Sequence, residues 1–208
     1  RYDRTIPSLA AEAGFAVLDH GPVAVGEVGL VGSIGWYDYS FREEALGIPV
    51  PFYRAKVAPG AAAHFAEHRG LLEAHEGQVT ERHLAVGSRW MDGVYVDLPV
   101  DDEAFLETVA EKLRRQLADL AGRVERIAAF LHHVPFAELI PRGRPDRFAF
   151  AAAYMGSGRL GEVLRACPCL THVYCGHTHW PGRLRIGRLT VVNVGSTYRQ
   201  KRLEILEL

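Results

Sequence analysis

The sequence predicts an α/β protein, a layered fold of mixed sheets flanked by helices. Three observations carry that expectation. Arg126-Ile127-Ala128-Ala129-Phe130-Leu131 and Leu170-Thr171-His172-Val173-Tyr174-Cys175 are short apolar runs of the kind buried in a sheet. A long amphipathic helix precedes the first run and a shorter helix separates the two, an alternation that favours parallel pairing. The chain then closes with short strand-like segments split by Gly187-Arg188, which reads as an antiparallel turn.

In chain order, Thr5 to Gly14 reads as a helix that stops at Gly14, and Phe15 to Leu18 as a strand. Val23 to Ile34 reads as strands, with Gly-Pro and Gly-Glu turns forming a hairpin. Residues 36–99 are the least regular part, rich in aromatics, prolines and isolated charges, and read as an inserted lid of loops and helices. From Asp101, an acidic first turn opens a helix. Phe105, Val109, Leu113, Leu117 and Leu120 share its apolar face, opposite Glu111, Arg114, Arg115 and Asp119. Leu160 to Ala166 is a second, shorter helix, and Leu184 to Ile186, Leu189 to Val194 and Leu203 to Leu206 are expected antiparallel strands.

Each buried run empties into histidines. Leu131 leads to His132-His133-Val134-Pro135, where proline ends the ladder, and Cys175 leads to Gly176-His177-Thr178-His179. Residues i and i+2 lean the same way on an extended or turning backbone, and the glycine before them lets the chain bend, so both imidazoles can face one cavity. Ten histidines in 208 residues make chance pairs common. Two clusters that each follow a buried strand are a stronger signal, because open α/β sheets gather ligand groups beyond their strands' carboxyl ends.

On these segments, together with Val192-Asn193-Val194-Gly195-Ser196, the sequence resembles the calcineurin-like metallophosphoesterase superfamily, the two-metal phosphoric ester hydrolases. The resemblance implies a sandwich fold, a metal-dependent phosphodiesterase or phosphatase, and two divalent ions drawn from Mn, Fe, Ni or Zn. It implies that His177 and His132 bind one ion and His179 the other, with His133 lining the pocket; strand-end phasing favours His132 over His133 as the ligand.

The chain also departs from that family. The D-x-H, G-D-x-x-D and G-N-H motifs that supply the bridging aspartate, an asparagine ligand and a catalytic histidine are absent, and Asn193 is the sole asparagine. The chain begins at Arg1, so the expectation is a single domain over residues 1–208 that lacks an amino-terminal segment. No catalytic acid is assigned. His133 is one candidate; His172, in the middle of its strand, reads as structural. The absences matter chemically, because two close dications need carboxylate charge between them, and neither histidine motif contains Asp or Glu. A second reading follows, a binding scaffold without catalysis.

Candidate substrate contacts lie in the lid. Trp36 and Tyr37 follow a strand, and Arg89-Trp90 sets a cation beside an aromatic plate, although the same aromatics suit a small core of the lid. His64-Phe65-Ala66-Glu67-His68 matches the H-x-x-E-H pattern of zinc proteases, a remote third reading because Arg69-Gly70 interrupts the helix.

Composition narrows the partners. A net charge of −1 and 48% hydrophobic residues describe one sizeable core with no basic field for a long polyanion, which favours a small phosphoester over nucleic acid. No apolar run of membrane-spanning length and no basic leader is present, so no membrane partner and a cytoplasmic location are expected. Cys167, Cys169 and Cys175 are odd in number, and Cys167-Pro168-Cys169 lacks the spacing of a redox or zinc motif, so they read as thiols.

Overall fold

A computed structural model describes residues 4–206. The elements run α1 (Thr5–Glu12), β1 (Val23–Val25), β2 (Val28–Ser33), α2 (Val50–Arg54), α3 (Pro59–Ala62), α4 (Arg69–Glu73), α5 (Glu81–Leu84), α6 (Asp92–Tyr95), α7 (Asp102–Leu120), β3 (Arg126–Leu131), α8 (Asp146–Ala151), α9 (Gly158–Arg165), β4 (Leu170–Cys175), β5 (Gly182–Ile186) and β6 (Leu189–Asn193). The strands form one six-stranded mixed sheet in the order β1-β2-β3-β4-β6-β5. Its four inner strands are parallel, and each edge strand is antiparallel to its neighbour. The α/β class with a mixed sheet flanked by helices is thus what the chain forms.

Parallel pairing of β2, β3, β4 and β6 points all their carboxyl ends the same way, and these strands are apolar enough to be covered on both faces. α7 covers one face. Asp101 caps it by accepting from the Ala104 N–H at 2.7 Å, and Leu106, Val109, Leu113, Leu117 and Leu120 are its buried stripe. The helix lies so close to β2 that a Cβ on Gly29 would meet Leu120 at 2.6 Å. β1 is too short to pair the end of β2. The buried Gln116 amide takes its place, donating to the Gly32 carbonyl and accepting from the Gly32 N–H, both at 3.1 Å.

Two expected strands do not form. Phe15 to Leu18 is turn and irregular chain, because Leu18 packs onto Gly32, where a Cβ would meet it at 2.5 Å, instead of pairing alongside a strand. Asp19 then accepts from the Ile34 N–H at 2.8 Å, holding the end of β2. Leu203 to Leu206 is also irregular. Leu203 and Ile205 are 84% and 78% exposed, so no apolar face fixes a register, and the segment is tied instead by Ser196 to Arg202 and by Arg183 to Glu204.

Residues 36–99 carry only short helices, α2 to α6, as their irregular composition implies. An aromatic cluster fills their interior, with Tyr37, Tyr39, Phe52 and Tyr53 packed against Phe150 and Tyr154. A buried charge sits at its edge. Asp102 accepts from Trp36 Nε1 at 2.8 Å and is also bonded by the Tyr39 hydroxyl and the Lys56 ammonium, so its carboxylate is fully partnered. Among the described residues, no helix is long and apolar enough to cross a membrane.

Candidate functional site

The carboxyl ends of the inner strands converge. His132 directly follows β3, with its N–H bonded to the Ser33 carbonyl, and the Gly176 N–H after β4 bonds the His132 carbonyl at 3.1 Å. This extension of the ladder sets His132 and His177 with ring centroids 4.7 Å apart. His133 lies behind them, 4.4 Å from His177 and 5.1 Å from His132. A cavity of about 490 Å³ opens in front, and His132, His177 and His179 all line it. The three histidines read from the sequence therefore share one cavity, whereas His133 is buried and does not line it. His172 faces away, bonded to Thr171 and set against Tyr174, as a structural histidine would be.

The loop after β4 is held in an unusual shape. His177 and His179 both adopt left-handed backbone, with φ of 67° and 56°, which is unfavourable for residues with a side chain and is found where function fixes the chain. Asn193, at the end of β6 and 1% exposed, pins this loop. Its Nδ2 donates to the Gly176 carbonyl at 3.1 Å and to Thr178 Oγ1 at 2.8 Å, while its Oδ1 accepts from the Gly195 N–H at 3.1 Å. Those partners fit only one orientation of the amide.

Burial lowers the pKa of His132, His133 and His177. Burial, then the neighbouring His132, drives the His177 pKa from 6.5 down to about 4. Burial, then His177, holds His133 well below the ordinary range. His133 Nδ1 bonds the Ile34 carbonyl at 2.9 Å, which makes it the donor and leaves Nε2 as a bare lone pair. Both His133 Nε2 and His177 Nε2 are buried without a partner. Cys175, one residue before Gly176, is pushed up to about 12 by burial and is an unreactive thiol.

Unpartnered, neutral ring nitrogens are donors suited to a transition ion. Among the described residues, however, no three His, Cys, Asp or Glu side chains are arranged to hold a metal ion. The nearby carboxylates are engaged elsewhere. Asp92 Oδ2 accepts from Tyr37 and Trp90 at 3.0 and 2.8 Å, and Asp38 Oδ2 accepts from Ser157 at 2.7 Å. The donor set thus suits nitrogen ligation, and it does not fit a carboxylate-bridged pair of ions.

The expected substrate contacts divide. Trp90 lines the cavity, stacked on Tyr154 at 4.8 Å and edge-on to His177 at 5.8 Å. Trp36 and Tyr37 do not reach it. They are buried behind His133 and stacked on each other, because Asp102 and Asp92 draw their polar atoms inward. Arg89 is also outside, its guanidinium over the Phe65 ring at 4.7 Å. The zinc-protease geometry is absent too. His64 lies beyond α3, Phe65 is extended, and only Ala66–His68 turns again, so no single helix carries both histidines.

Sequence reading missed Asn193, Arg144, Trp180 and Tyr198. The last three rim the cavity and come from segments far apart in the chain. Only Asn193 left a trace, as the single asparagine and at a strand end.

Fold and site together define an α/β protein with an imidazole cluster at the carboxyl edge of a mixed sheet. No family pattern and no curated protein matches the chain. A solved structure does share the fold: phosphopantetheinyl hydrolase from Mycobacterium tuberculosis, at 16% identity and a TM-score of 0.59. The match covers 93% of this chain but 59% of that one, so this chain spans less than two thirds of its neighbour's length.

Proposed function

We propose that the chain carries the histidine-bearing part of the active site of a phosphoric ester hydrolase, of the calcineurin-like metallophosphoesterase kind, acting on a small phosphoester. The observation that carries this reading is the meeting of His132 and His177, 4.7 Å apart, at the ends of adjacent parallel strands and on the wall of a 490 Å³ cavity. The fold shared with a hydrolase supports it.

His132, His177 and His179 would supply nitrogen ligands to Mn, Fe, Ni or Zn, and the described residues do not by themselves complete a metal site. Such an ion supplies a Lewis acid and lowers the pKa of bound water. The protein's own share is positional. Asn193 fixes the loop that presents His177 and His179, Trp90 braces His177, and burial keeps His177 and His133 unprotonated at neutral pH. Two ions would need carboxylates that the described residues do not place here.

The test is hydrolysis of bis-p-nitrophenyl phosphate by the native protein with added Mn²⁺, with bound metal counted by elemental analysis. Activity that disappears in His177→Ala and His179→Ala is the expected result. Equal rates in parent and both variants would sink the proposal. Metal-free protein without turnover would favour the binding-scaffold reading.

A further inference from the structure

The cavity in front of the histidines is too large for a phosphoryl group alone; about 490 Å³ is the size of a site for a drug-like molecule. Among the described residues its lining contains no carboxylate, and beside the histidines Arg144 is its only cationic side chain. Arg144 is set between two exposed aromatics, its guanidinium 5.3 Å from the Phe148 ring centre and 4.9 Å from that of Trp180. Among the described residues it has no ion-pair or hydrogen-bond partner, whereas Arg142, two positions earlier, is paired with Glu43 at 3.1 Å. An arginine stacked on rings keeps its planar fork of donors free for an oxyanion. Ile140, Ala152 and Met155 give the wall an apolar stretch, and Thr178 and Tyr198 add hydroxyls.

Resting on the phosphoester reading of the site, we infer that its substrate is an ester of a sizeable apolar or planar alcohol, with Arg144 binding the phosphoryl anion and Trp180 holding the organic group, while Phe148, also covered by Arg147 at 4.9 Å, backs Arg144. Charge and ring are then read by different residues. Arg144→Gln weakens all phosphoesters alike, and Trp180→Ala weakens those with a large organic group most.

Binding of methylphosphonate and of naphthylmethylphosphonate, followed by tryptophan fluorescence and confirmed by calorimetry, separates these effects without any turnover. The parent protein should bind the naphthyl compound about tenfold or more tightly than the methyl one. Arg144→Gln should weaken both by about tenfold, and Arg144→Lys should recover part of the loss. Trp180→Ala should abolish the preference, weakening the naphthyl compound by about tenfold more than methylphosphonate, which loses only what the unstacked Arg144 gives up, and Trp180→Phe should retain some of it. Equal affinities in the parent, or an unchanged affinity in Arg144→Gln, overturn the inference. If selective binding is seen while the corresponding naphthyl phosphoesters are not cleaved, the binding assignment stands and the hydrolase reading falls.

Discussion

Replacing Asn193 by Ala removes three hydrogen bonds from a side chain that is 1% exposed. A typical buried hydrogen bond contributes about 1 kcal/mol net, so the loss is about 3 kcal/mol. For a chain of this length each kcal/mol moves Tm by about 2–4 °C, so the variant should melt about 6–12 °C below the parent. Urea unfolding should show a lower midpoint with an unchanged slope. Hydrogen exchange should quicken first at residues 177–179, because the two left-handed histidines lose the contact that holds them. Asn193→Asp is the sharper control. It keeps the acceptor for Gly195 and loses both donors, placing a negative oxygen against the Gly176 carbonyl, and should be at least as damaging. A variant within 0.5 kcal/mol of the parent, with unaltered exchange in that loop, would refute the idea that Asn193 organises the site.

Other outcomes follow from the same structure. Because burial depresses the His177 pKa to about 4 against an ordinary 6.5, the unfolded chain binds the extra proton between those values. Stability should therefore be full above pH 6.5 and fall as the pH drops toward 4; a flat profile of unfolding free energy across that window would contradict the burial argument. Gly156→Ala should not yield folded protein. Its φ is +155° and the new Cβ would lie 1.9 Å from the Val134 carbonyl oxygen, in the segment that carries His132 and His133; normal expression and melting would show that this contact can relax. Substituting both His64 and His68 by Ala should leave bound metal unchanged by elemental analysis, since they share no helix. Asp102→Ala should destabilise by about 3–5 kcal/mol in chemical denaturation, because it strands the Lys56 charge that Asp102 partners.

Local signals made much of the fold legible. β3 and β4 stand where their apolar runs lie, α7 begins at its capping Asp101, and the β5–β6 hairpin turns at Gly187-Arg188. Phe15 to Leu18 and Leu203 to Leu206 misled because apolar composition alone does not supply a strand with a partner. Histidine positions could be read because glycine and proline punctuate the chain beside them. The aromatics of the lid could not. Trp36 and Tyr37 turn inward toward Asp102 and Asp92, partners 66 and 55 residues away in the chain that no local pattern marks. Arg144 carries no local mark at all; its place depends on Phe148 and Trp180 meeting across the cavity.

His132 is tied to Gly176, the residue before His177, through the Gly176 N–H and the His132 carbonyl, so the pairing of β3 with β4 also fixes the backbones that carry the two imidazoles. The sheet is in effect a gauge block for the imidazoles. Loosening the core would blur their positions, and slipping β3 by one residue would turn His132 to the opposite face. Backbone placement here comes in whole steps of the ladder, so descendants of this site can vary which side chains stand at its posts far more readily than where the posts are.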